Sequence, residues 1–200
     1  MKPRKPSIAS TLRPAPASGQ AAHLRTAGFT LIELMMTLMV AAILMAIAIP
    51  GFRNMLLSQR LSTAANSMVN TINTARMEAI KRNASAQFCS DDPARNTNDT
   101  LGAICAANAG AVYAINNASP PVVTRILNVA DLGAALQLSS VMALRFNAQG
   151  VGYQPANPAT PFGGNVAQLC TSQLSTNNIY TIQMASGAIL TVKPSTGSCP

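Results

Sequence analysis

Residues 29–49 read FTLIELMMTLMVAAILMAIAI, an apolar run interrupted only by Thr30, Thr37 and the carboxylate of Glu33. As a helix rising about 1.5 Å per residue, a run of this length covers roughly 30 Å, the hydrocarbon thickness of a bilayer. The stretch before it carries Lys2, Arg4, Lys5, Arg13 and Arg25 and no acid. That excess places the N-terminus in the cytoplasm and everything after Pro50 outside. Residues 1–28 are otherwise rich in Pro, Ala, Ser and Thr with no apolar period, so no packed core is expected there. The same layout also fits a secretory signal peptide, with Ala46, Ile47 and Ala48 as a small-residue site before Ile49. Two features argue against that alternative. The run exceeds a usual signal-peptide core, and an acid costs about 2.5–3.5 kcal/mol at the centre of a span, so Glu33 calls for a partner.

Composition narrows the function classes. The net charge is +8, from 14 basic and 6 acidic residues, but the leader holds five of the basic ones, leaving +3 for the rest. Arg95, Arg125, Arg145 and Lys193 are too few and too scattered to predict a DNA-binding patch. Tryptophan is absent and His23 is the sole histidine, so general acid–base and zinc chemistry lack their usual groups. No paired acids or glycine-rich phosphate loop follow the leader, and neither an enzyme nor a cofactor is expected.

Past Pro50, Leu57, Leu61, Ala64, Met68, Ile72, Ala75 and Ala79 recur at spacings of three and four, with Ser58, Gln59, Arg60, Asn66 and Asn70 between them. This is an amphipathic helix with one face on a domain. The combined helix is expected to run from Phe29 to about Asn83, with a kink at Pro50, whose ring removes a backbone donor. Beyond it the pattern changes to short β-type runs at Ala86–Cys89, Ala111–Ile115, Val122–Val129, Val141–Phe146, Ile179–Met184 and Ala188–Val192. Asn147–Gly150 and Ala185–Gly187 supply turns. The predicted class is α+β, a long N-terminal helix packed on a small antiparallel β domain. Its parts are a transmembrane helix (29–49), an amphipathic continuation (50–83) and a β-rich domain (84–200).

Cys89, Cys105, Cys170 and Cys199 all follow the apolar run and so lie in an oxidising compartment, where an even count favours disulfides over zinc. Of three possible pairings we take Cys89 with Cys105 and Cys170 with Cys199, each worth roughly 3–3.5 kcal/mol by loop closure. The oxygen-rich segment holding Asp91, Asp92, Asn96, Asn98 and Asp99 lacks the closing Glu and mid-loop Gly of a calcium loop and reads as solvated turns. Glu78 and Arg82, four apart, read as an ordinary helical ion pair.

Gly28, Phe29, Thr30, Leu31, Ile32, Glu33 and Leu34 spell GFTLIEL, which resembles the class III signal of type IV pilins and type II secretion pseudopilins. The resemblance implies cleavage of residues 1–28 by a prepilin peptidase between Gly28 and Phe29, N-methylation of Phe29 and retention of the apolar helix. It implies that Glu33 pairs with the terminal amine of a neighbouring subunit during assembly, and Pro50 matches the family's helix-kinking proline. Ala75–Asn83 (ARMEAIKRN) with the later Cys89, and Phe146–Gly150 (FNAQG), resemble the minor subunits of the FimT/FimU and GspH type. The function implied is a minor pilin that helps to initiate or cap a type IV pilus. The alternatives are a GspH-like minor pseudopilin of a type II secretion system and a FimT-like DNA-binding subunit for DNA uptake. Its partners would be other major and minor pilins through the N-terminal helix, the prepilin peptidase and the inner membrane, with the folded domain in the periplasm. DNA is disfavoured as a partner: DNA-binding members carry arginines after a glycine near the C-terminal strand, and Gly187 is followed by Ala188, Ile189 and Leu190.

Overall fold

The computed structural model describes residues 28–105, 108–118, 122–127, 132 and 135–199. The chain divides into two compact units, Met1–Leu44 and Met45–Pro200. Helix α1 (Leu31–Arg82) contributes to both. In the first unit the described residues are Gly28 to Leu44, helical from Leu31 onward. All further elements belong to the second.

Strand β1 (Ala86–Phe88) follows α1 directly. Short helices α2 (Pro93–Asn96) and α3 (Thr100–Cys105) come next, then β2 (Val112–Ile115), β3 (Val123–Leu127), β4 (Gln137–Ser139) and β5 (Leu144–Phe146). The chain ends with β6 (Gly152–Gln154), β7 (Asn157–Pro161), β8 (Gly164–Cys170), β9 (Ile179–Ala185) and β10 (Ile189–Ser195). These form two antiparallel sheets, β3-β2-β1-β5-β6-β7 and β10-β9-β8-β4.

The core follows from two periodicities. On α1, Leu57, Leu61, Ala65, Met68, Ile72, Ala75 and Ala79 are buried at steps of three and four. The one departure from the expected stripe is at its second turn, where Ala65 is buried and Ala64 half-buried, because four residues from Leu61 stay closer to the seam than three. On the sheets, alternation puts Ala86 and Phe88 of β1, Val112 and Ala114 of β2, and Leu144 and Phe146 of β5 inward. Val166 and Leu169 of β8 and Ile182 and Met184 of β9 join the same cluster, so one apolar core serves the helix and both sheets.

Bonds outside the ladders tie the sheets together. Gly152 N–H donates to Gly187 O at 2.8 Å, Phe162 N–H to Gly152 O at 2.8 Å, Gly187 N–H to Phe162 O at 2.7 Å and Met142 N–H to Val166 O at 2.7 Å. The C-terminal tail is held differently. The buried amide of Asn178 imitates a peptide group, accepting from Gly197 N–H at 3.0 Å and donating to Gly197 O at 2.8 Å.

Several expected strands shift at their ends, and at β5 the hydrogen bonds show why. Val141–Phe146 shortens to β5 because side chains take the first residues' backbone groups: Val141 N–H donates to Asp91 Oδ2 at 3.1 Å, and Val141 O accepts from Ser90 Oγ. The expected run Val122–Val129 appears as β3, and its residues 128 and 129 lie outside the described residues.

Candidate assembly interface

The helix start is built by Thr30. Glu33 N–H donates to Thr30 Oγ1 at 3.3 Å and Leu34 N–H to Thr30 O at 3.1 Å. Thr30 and Glu33 have the spacing of a capping box, and an acid in the first turn complements the helix dipole. Gly28 and Phe29 stand just ahead of this turn, Phe29 74% exposed. Among the described residues the Glu33 carboxylate has no ion-pair partner. From Phe29 to Leu56 every large apolar side chain is at least 45% exposed, all round the helix rather than along one stripe. Such a surface is suited to lipid or to other apolar helices. Among the described residues α1 is the one helix long and apolar enough to cross a membrane. Pro50 lies within α1.

At the other end of α1, Glu78 is bonded to Arg82 at 2.8 Å and to Lys81 at 3.5 Å. The Arg82 hydrogen bond holds the Glu78 carboxyl below its ordinary range. Lys81 and Arg82 also sit in the last turn, where cations oppose the negative end of the dipole.

A second packed layer covers the outward face of β1. Gln87, fully buried between Ala86 and Phe88 but pointing the other way, donates to Asn96 O at 3.1 Å and accepts from Arg145 Nε at 3.0 Å. Arg145 also grips both carboxylate oxygens of Asp99, one of them at 2.8 Å. The cover is the loop closed by the Cys89–Cys105 disulfide, whose sulfurs pack with Leu101, Ala111 and Tyr113. The second disulfide, Cys170–Cys199, joins the end of β8 to the C-terminal tail.

The acids of this loop are all committed to bonds within the fold. Asp92 caps α2 through Ala94 N–H at 3.0 Å, Asp99 accepts from Gly102 N–H at 2.9 Å, and Asp91 accepts from Val141 N–H. Asn96 accepts from Ser90 N–H at 2.8 Å. The oxygen-rich segment is thus a set of helix caps and turns. Sequence reasoning missed α2, α3 and the Gln87–Arg145–Asp99 network. Asp92 followed by Pro93, an N-cap before a proline at the first helical position, was a readable sign of α2.

The Arg145 hydrogen bond brings the Asp99 carboxyl down from an ordinary 3.8 to about 2, against a smaller opposing effect of burial. A carboxyl lowered on folding stabilises the fold above its unfolded value and loses that contribution as pH falls through the folded one. The loss therefore begins near 3.8 and is complete below about 2. With the Asp99 side chain 49% exposed, solvent screens the pair, and its worth is held to about 1 kcal/mol or less. Asp99→Asn should lower the thermal midpoint at neutral pH by no more than about 2–4 °C. At a pH below the folded value, wild type and variant should melt together; a gap that persisted in acid would exclude this ion pair as its source.

A long helix that is apolar all round at its start, amphipathic further on and packed across antiparallel sheets defines a pilin-like subunit. The family model described as Type II transport protein GspH matches residues 64–188, and that described as Prokaryotic N-terminal methylation motif matches residues 24–49. The first match covers more than half of the chain, and the chain belongs to the GspH family. It is therefore a minor pilin or pseudopilin, a structural subunit and not a catalyst. No curated protein and no solved structure matches it.

Proposed function

We propose that the chain is made as a prepilin, cut after Gly28, methylated on Phe29, and held in the inner membrane by residues 29–49 with residues 84–200 in the periplasm. From there it enters the pseudopilus of a type II secretion system as a low-abundance subunit that helps to start or cap the filament. The observation that carries this reading is the change of surface along α1: apolar side chains exposed on every side up to Leu56, then a single seam buried against the sheets from Leu57 to Ala79. The exposed part is the surface that other pilin helices or lipid would cover. Glu33 would pair there with the amine of a neighbour's first residue, and Pro50 is where the helix would bend. The family description, which names type II transport, favours the secretion system over a type IV pilus, reversing the preference drawn from the sequence motifs.

The DNA-uptake alternative gains no support. Arg95 is paired with Asp92 at 3.4 Å and Arg145 with Asp99, so two of the four scattered cations are neutralised locally. The turn at Ser186 and Gly187 leads into β10 with no arginine.

The mass of the N-terminal peptide, taken from membranes of a host with a prepilin peptidase, tests the proposal. The expected product begins at methylated Phe29 and co-purifies with pseudopilus subunits. A product beginning at Ile49 would mean removal of the apolar run and would end the assembly reading.

A further inference from the structure

The two disulfides stand in different surroundings. Cys89 and Cys105 are both fully buried and pack with Leu101, Ala111 and Tyr113. The loop over them is held down by Gln87, Arg145 and Asp99, so a thiol reaches those sulfurs only when that cover opens. Cys170 is fully buried as well. Its partner Cys199 is half-exposed, at the end of a tail in which Thr196, Gly197 and Ser198 are all exposed.

That tail runs across one end of the sheet β10-β9-β8-β4. Ser195, the last residue of β10, pairs with Ile179 at the start of β9. Cys170 ends β8 and pairs with Gln137 at the start of β4, and Cys199 Sγ lies 3.4 Å from Gln137 Oε1. Past Ser195 the ladder gives way to separate bonds: Asn177 N–H donates to Thr196 Oγ1 at 2.9 Å, Asn178 Nδ2 to Gly197 O at 2.8 Å, and Gly197 N–H to Asn178 Oδ1 at 3.0 Å. Peeling the tail back breaks these and leaves every strand pair of both sheets in place.

We propose that Cys170–Cys199 is a thiol-exchange site on the folded subunit, opened and closed by a dithiol while Cys89–Cys105 stays sealed. A thiolate of the dithiol bonds to Cys199 Sγ as the bond to Cys170 breaks, and the electron pair leaves on Cys170 Sγ, which takes up a proton. The second thiol of the dithiol then attacks the mixed disulfide and frees Cys199 as a thiol. Both cysteines end reduced and the dithiol ends as a disulfide; the reverse sequence closes the tail. Charge arriving on a buried sulfur is costly, so exchange waits for the tail to peel and admit water to Cys170. Asn178, which makes two of the three bonds, therefore sets the rate without touching either sulfur's chemistry.

The test is timed reduction of the native full chain in mild detergent. Dithiothreitol is the dithiol, an alkylating agent stops the reaction, and peptide mass spectrometry reads the labelling of each cysteine. Cys170 and Cys199 should be labelled at least about tenfold faster than Cys89 and Cys105. Asn178→Ala should speed the first pair roughly fivefold or more and leave the second unchanged. Cys170→Ser/Cys199→Ser should still melt cooperatively, at a lower temperature, with Cys89 and Cys105 protected. Opening of all four cysteines at one rate in wild type would overturn the proposal, because exchange would then follow global unfolding. Equal acceleration of both pairs by Asn178→Ala would overturn it for the same reason, as would a double serine variant that has no folded domain.

Discussion

Replacing Gly187 with valine should cost at least about 3 kcal/mol, a large part of the roughly 5–15 kcal/mol that holds a domain folded. Gly187 has φ of +67°, and a β-carbon there would lie 2.6 Å from Gly152 O and 3.1 Å from Gly152 N. Those atoms belong to backbone that is already bonded. Gly152 O accepts from Phe162, Gly152 N–H donates to Gly187 O, and Gly187 N–H donates to Phe162 O. Relief of the clash would therefore break the bonds that tie the two sheets together. Gly150 offers the control. Its φ is +75°, and its β-carbon would lie 2.6 Å from Ile80 Cδ1, the end of a flexible side chain that is 48% exposed and free to swing out. Gly150→Ala should thus cost only the backbone strain, about 1–2 kcal/mol. Urea titrations of the two variants should rank them clearly. Equal losses would show that the approach of Gly187 to Gly152 does not control the joint between the sheets.

Gly150 also explains why the Phe146–Gly150 turn could be recognised from sequence alone. Phe146 fills the core, Asn147 Oδ1 accepts from Gln149 and Val151 N–H groups, and Gly150 takes the left-handed conformation where the turn meets α1. The helix was legible for an equally physical reason: its apolar residues keep a helical period over six turns, and only the choice between Ala64 and Ala65 slipped. Four strands went unread. β7 is NPATP, fully exposed with two prolines, an edge that no strand pattern would select. β8 is bulged between Asn165 and Ala167, so Val166, Ala167 and Leu169 do not alternate. β4 and β6 are three residues each, too short for a period to appear. The candidate site divides in the same way. Gly28, Phe29 and Glu33 stand in a local motif and could be read, whereas Gln87, Asp99 and Arg145 meet only because β1 pairs with β5 and a disulfide-closed loop folds over them.

Glu33 carries the second large effect. Glu33→Ala should leave cleavage, membrane insertion and the melting of the folded domain as in wild type, yet lower incorporation into filaments by at least about a hundredfold. An unpaired acid within an apolar span costs about 2.5–3.5 kcal/mol, while a unit charge about 4 Å away returns about 4 kcal/mol at an effective dielectric constant of 20. Removal of one partner from such a pair costs about 3–5 kcal/mol, because the other charge stays buried alone. The competing account is local: Glu33 completes the capping box begun by Thr30 and does nothing beyond its own helix. Glutamine separates the two. It serves a capping box as well as glutamate does but carries no charge, so under the capping account Glu33→Gln assembles normally and Thr30→Ala is the damaging change. Under the pairing account the order reverses: Glu33→Gln fails as fully as Glu33→Ala, and Thr30→Ala loses only about 1 kcal/mol of helix stability. Normal incorporation of Glu33→Gln would therefore return Glu33 to a purely structural role.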